Sequence, residues 1–165
     1  VAKSLLRTKY LSGRTDVRPY YYKITRMEYQ LQVQKNIVTL KQDLPTLFKQ
    51  DISYDIYTED IYFQDPVNKF KYKFNYRIIF WTLRFHARLF FTEIYFDLHD
   101  VHQKDEQTIL ATWTVRGILR LPWKAKIFFN GDSNYKLNQD GLIYEHIDTW
   151  DRPPGEILQQ FFHRG

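Results

Sequence analysis

A chain of 165 residues falls within the size of one domain and is long enough to bury a hydrophobic core without metal or disulfide staples. It contains no cysteine, which excludes disulfides, thiolate metal sites and a cysteine nucleophile, and fits a reducing or organellar interior better than secretion. The net charge of +5 sits in the first 30 residues, where seven basic groups oppose only Asp16 and Glu28, while the remainder balances; a nucleic-acid-binding domain would carry its basic stripe across the folded body, so no nucleic acid is expected as a partner.

Residues 1–35 read as a basic, tyrosine-rich extension with an extended backbone, because they lack periodicity and include Gly13, Pro19 and the run Tyr20-Tyr21-Tyr22. Arg14, Arg18, Tyr20, Tyr21, Tyr22, Lys23 and Arg26 are its candidate contacts with a protein partner, and the same charges suit peripheral contact with anionic lipid. From about 36 to 50, Ile37, Leu40, Leu44, Leu47 and Phe48 recur at helical spacing, and Pro45 predicts a break. A short strand follows through Asp60-Ile61-Tyr62-Phe63 and ends at Asp65-Pro66.

Over residues 70–91, Phe74, Ile78, Trp81, Phe85 and Leu89 trace a helical stripe; the aromatic content also suits a strand, and length decides for a helix. Four strands are predicted next, at about 92–102, 107–120, 124–138 and 142–149. Leu121-Pro122-Trp123 links the second to the third, and Gln139-Asp140-Gly141 is a hairpin signal between the third and fourth. Alternation of Ile94, Phe96 and Leu98, and of Ile109, Ala111, Trp113 and Val115, predicts an antiparallel sheet buried on one side and covered by helices. Pro153-Pro154 ends the sheet, and residues 153–165 form a tail or short helix. The most apolar stretch, 78–96, is interrupted by Arg84, His86, Arg88 and Glu93, so no membrane-spanning helix is expected.

Several motifs, in order, resemble an uncharacterised family known as domain of unknown function 2358. They are Asp43-Leu44-Pro45-Thr46-Leu47-Phe48, the run from Tyr57 to Pro66, Asn75-Tyr76, the run from Phe80 to His86, and Trp113-Thr114-Val115-Arg116-Gly117. Leu121-Pro122-Trp123, the run from Gly131 to Leu137, and the run from Asp140 to His146 complete the set. The order of elements is similar to the nuclear transport factor 2-like (SnoaL-like) superfamily. The resemblance covers about residues 38–150 and implies an α+β fold, a cone-shaped curved antiparallel sheet packed on N-terminal helices, here assigned to residues 36–152. It also implies an organellar setting, since family members occur in cyanobacteria, plastids and mitochondria. The start at Val1 points the same way if a presequence has been removed, which favours a mitochondrial location with a plastid as the alternative. Many relatives carry a glycine shortly after Asp-Pro, where this chain has Tyr72.

The family has no established activity, but enzymes of the superfamily place Asp, His and Tyr in the open end of the cone. By that resemblance, the catalytic candidates are Asp65, Tyr144, His146 and Asp148, the last three alternating onto one face of the final strand. Trp81, Trp113 and Phe129 are candidates for an apolar ligand pocket. His99, Asp100 and His102 are the nearest approach to a metal cluster, and only Asp100 and His102 would share a strand face, so no metal is expected. No phosphate-cradling loop, nucleophile elbow or His-Glu-x-x-His motif is present, and no cofactor is expected. The leading expectation is a non-catalytic accessory or scaffold subunit of an organellar complex, binding other subunits through its extension and sheet, with a homo- or heterodimer through the sheet. The alternative is a small-molecule-binding protein or an isomerase- or dehydratase-type enzyme using the cone cavity.

Overall fold

Thr25-x-x-Glu28 opens the described structure as a capping box. The Thr25 side chain accepts from the Glu28 amide at 3.2 Å, and the Glu28 carboxylate accepts from the Thr25 amide at 2.8 Å. The computed structural model describes residues 24–163. The box starts helix α1 at Arg26–Asp43, about ten residues ahead of where hydrophobic spacing alone places it. Residues 26–35 are therefore helix rather than extended arm, and Arg26 is its first residue. The other arm candidates, Arg14, Arg18, Tyr20, Tyr21, Tyr22 and Lys23, lie outside the described residues. Pro45 ends α1 as expected by starting a 3-10 turn at Leu44–Thr46.

Strand β1 (Tyr57–Gln64) and a three-residue strand β2 (Lys69–Lys71) form a hairpin around Asp65-Pro66. Helix α2 (Lys73–Phe90) leads into β3 (Phe91–Asp105), β4 (Thr108–Leu119), β5 (Lys126–Leu137) and β6 (Ile143–Trp150), and α3 (Pro154–Gln160) closes the order. The strands lie in one sheet ordered β2-β1-β6-β5-β4-β3. All pairings are antiparallel except β1 with β6, which run parallel and are joined by a long crossover through β2, α2 and β3 to β5.

Alternate residues of β4 and β5 face inward, and Ile109, Ala111, Trp113, Val115, Ile127, Phe129, Tyr135 and Leu137 join Val33, Leu40 and Leu44 of the N-terminal helical layer in one core. Gly131 is where this sheet meets Trp113. Any Cβ there would collide with the Trp113 ring and the Thr149 carbonyl, so only glycine lets the indole lie across β5. The Asp140-Gly141 turn forms as expected, with Gly141 at φ +76° and its carbonyl accepting from Asn36 Nδ2 of α1 at 2.7 Å.

Helix α2 begins at Tyr72, whose φ of +79° lies in the region that favours glycine. The position at which the family resemblance leads to an expected glycine thus keeps a glycine-like backbone around a tyrosine. Its amide donates to the Ile61 carbonyl at 2.9 Å and its carbonyl accepts from Tyr76, so the conformation is pinned from both sides. Such strain costs about 1–3 kcal/mol, against about 0.5–1 kcal/mol for glycine's extra unfolded-state freedom. Tyr72→Gly is expected to stabilise the fold by about 1 kcal/mol and raise Tm by roughly 2–4 °C in a thermal melt. An unchanged or lowered Tm would mean that Tyr72 is not strained.

Candidate functional site

The polar end of the core is built from Trp113 outward. Its indole N–H donates to Ser133 Oγ at 2.9 Å, and Ser133 Oγ donates to Asp148 Oδ1 at 2.5 Å. His146 Nε2 lies 2.8 Å from the same carboxylate oxygen, and its Nδ1 lies 2.6 Å from the Tyr76 hydroxyl. Because an indole only donates, the single Ser133 proton must go to Asp148. Oδ1 is then an acceptor for His146 Nε2–H, and in the neutral imidazole Nδ1 accepts from Tyr76. The ring is held by stacking on Tyr135, with centroids 4.3 Å apart, and by the edge of Phe63 at 5.0 Å.

These groups border a partly open cavity of about 240 Å³, enclosed by Leu44, Leu47 and Phe48, by α2 through Ile79, Phe80 and Leu83, and by the inner faces of β3 to β6. Its wall is mostly apolar. At its polar end, Asp148 keeps 17% of its side chain accessible, and Oδ2 has no hydrogen-bond partner among the described residues. Tyr135, wholly buried on the cavity wall, has a hydroxyl that also lacks a partner. An open carboxylate oxygen thus borders a pocket lined mostly by hydrocarbon, with the enclosed Tyr135 hydroxyl behind its wall.

The sequence candidates separate as follows. His146 and Asp148 meet at this end, and Trp113 and Phe129 line the cavity. Asp65 also borders it, but Oδ1 accepts the Val67 and Asn68 amides at 2.7 and 2.5 Å and Oδ2 accepts Asn68 Nδ2 at 3.0 Å, which commits it to the turn. Tyr144 points outward. Lys136 pairs with Glu145 while Leu137 pairs with Ile143, so a bulge at Tyr144 breaks the alternation that would have placed it beside His146. Trp81 is 60% exposed on the outer face of α2, stacked on Phe85, and does not line the cavity. Asp100 and His102 pair at 2.6 Å on one face of β3, while His99 bonds Thr114 at 2.7 Å.

Tyr76, Ser133 and Tyr135 were missed. Ser133 and Tyr135 continue the inward alternation of Phe129 and Gly131, so their parity was available in the sequence. Tyr76 belongs to the second apolar phase of α2, with Phe80 and Ala87, which faces the core.

The chain matches the model of a family described as an uncharacterized conserved protein family, DUF2358, over residues 34–146. It belongs to that family. No curated protein matches the chain. Among solved structures, it is similar to an NTF2-like protein from Anabaena variabilis ATCC 29413, at 18% identity and TM-score 0.54, covering 78% of this chain and 94% of that one. It is also similar to a putative polyketide cyclase from Silicibacter sp. TM1040, at 16% identity and TM-score 0.56, with 78% and 94% covered. A third is the epoxide hydrolase/cyclase-like enzyme SalBIII of salinomycin pyran ring formation, at 16% identity and TM-score 0.54, with 74% and 93% covered. At these identities the likeness establishes the fold, and this DUF2358 member has the α+β NTF2-like architecture.

Burial pushes the phenols of Tyr57, Tyr76 and Tyr135 above their ordinary value near 10, with neighbouring tyrosines and Asp148 adding to it in Tyr76 and Tyr135. Each folded phenol therefore keeps its proton where the unfolded chain has released it. Their contribution to stability is intact below pH about 10 and declines above it, by about 1.4 kcal/mol per pH unit for each tyrosine. In an alkaline titration read by tyrosinate absorbance, these three are expected to ionise only together with loss of the near-ultraviolet circular dichroism. Their ionisation alongside the exposed tyrosines in a still-folded protein would contradict the packing described.

Proposed function

We propose that the cavity binds a small, largely apolar molecule presenting one hydrogen-bond donor or acidic C–H to Asp148, and that Asp148 accepts its proton while His146 Nε2–H holds the other carboxylate oxygen. The observation that carries this reading is the open Oδ2 of Asp148 at the end of an apolar cavity, while Oδ1 is held by Ser133 and His146. A cavity of about 150 Å³ lined by aliphatic groups takes benzene, so about 240 Å³ suits one or two fused rings. A carboxylate positioned this way in a poorly hydrated site serves general base chemistry of the isomerase or dehydratase type. The accessory-subunit reading, in a mitochondrial or plastid complex, rests on the extension, most of which lies outside the described residues, and on the sheet surface, and the site adds nothing to it.

Naphthalene and 2-naphthol test the reading, because they differ by one hydroxyl donor. Followed by tryptophan or naphthol emission, 2-naphthol is expected to saturate the protein roughly tenfold more tightly than naphthalene, as a hydrogen bond to a charged acceptor implies. In Asp148→Asn the amide oxygen can keep the Ser133 and His146 bonds, which turns the cavity-facing charged acceptor into a neutral donor, and the preference should shrink several-fold because only a neutral hydrogen bond to the naphthol oxygen remains. Equal binding of the two probes, no saturable binding, or a preference undiminished in Asp148→Asn would each refute the proposal.

A further inference from the structure

Helix α2 has two apolar phases, and the structure uses only one. Tyr76, Phe80 and Ala87 are buried, whereas Phe74, Ile78, Trp81, Phe85 and Leu89 form a continuous stripe of which Phe74 is 74% and Trp81 60% exposed. The stripe runs the length of an 18-residue helix, about 27 Å at 1.5 Å per residue. It stands exposed on the outside of the fold. Along one edge, offset by one residue, lie Lys73, Arg77, Arg84 and Arg88, and α2 contains no acidic residue. At its head, Tyr72 is 62% exposed and accepts a glycine-like backbone that a glycine would adopt without strain.

We infer that this face of α2 docks on the surface of an anionic lipid bilayer, with the aromatic stripe entering the headgroup boundary and the basic edge meeting the lipid phosphates. Charge decides between occupants. Lys73 and Arg84 are tied back to Glu59 and Asp51, at 2.7 and 2.9 Å, whereas Arg77 and Arg88, with Lys69 and Lys71 beside the head of the helix, form no ion pair among the described residues. Arg77 instead lies over the Tyr54 ring, 4.5 Å from its centroid. A second copy packed on this face would bring no carboxylate of α2 to the basic edge, whereas an anionic bilayer supplies both a flat apolar boundary and phosphate charge. Aromatic and aliphatic residues bordered by lysine and arginine are the composition of helices that lie in a membrane interface.

The test is flotation of the full chain with vesicles of phosphatidylcholine alone or mixed with phosphatidylglycerol, with Trp81→Ser/Phe85→Ser and Arg77→Glu/Arg88→Glu as variants whose folding is checked by circular dichroism. The wild-type chain is expected to float with the mixed vesicles and to be released by salt. Each double variant should bind roughly tenfold more weakly or worse. Binding that survives in Trp81→Ser/Phe85→Ser places the contact elsewhere, in the basic residues before α1 for example, and overturns the inference. So does failure of the wild-type chain to bind either vesicle, including the case in which the same substitutions dissolve a dimer of the protein.

Discussion

The indole of Trp113 is a hydrogen-bond donor with no capacity to accept, and the polar end of the core inherits its direction. Ser133 accepts that proton and passes its own to Asp148, so one carboxylate oxygen is occupied from the β5 side before His146 is considered. His146 must then donate from Nε2, and its other nitrogen turns to Tyr76 on α2. The result joins β4, β5, β6 and α2 through side chains within an apolar core, where an unmatched group would cost about 1–3 kcal/mol. Gly131 is part of the same constraint, since a side chain there would displace the indole that starts the chain of bonds.

That directionality separates the two oxygens of Asp148. Oδ1 is held by Ser133 and His146, and Oδ2 has no partner among the described residues where Asp148 borders the cavity. The same packing decides which phase of α2 faces inward. The row of α2 that faces the core carries Tyr76, which bonds His146, together with Phe80 and Ala87, and the longer aromatic row stays outside. One helix thus carries both a core contact with the polar end and the exposed aromatic row.

Much of the architecture was legible in the residues. The four long strands follow from the inward alternation of residues such as Ile109, Ala111, Trp113 and Val115, which a one-sided sheet requires, and Asp140-Gly141 marks its hairpin because the backbone there needs φ of +76°. The α1 start was legible too, in Thr25 and Glu28, but hydrophobic spacing alone placed it too late. What could not be read was phase. The helical stripe from Phe74 to Leu89 is real, yet periodicity does not say which of two apolar rows faces the sheet, and Trp81 was assigned to the cavity on the wrong row. Likewise, strict alternation put Tyr144 beside His146, and only the register of β5 against β6 reveals the bulge that turns it out. Asp65 reached the cavity wall as the motif implied, but its turn bonds are visible only once Val67 and Asn68 have folded back on it.

The most direct test of this account is the tautomer of His146, read from the ring nitrogens in long-range proton–nitrogen correlation spectra of the labelled full chain, with assignment by comparison to His146→Gln. The account predicts a neutral ring protonated at Nε2 and bare at Nδ1, fixed by Asp148 on one side and Tyr76 on the other. A ring protonated at Nδ1, or one averaging between the two tautomers, would contradict the direction imposed from Trp113 and the free acceptor it leaves on Asp148.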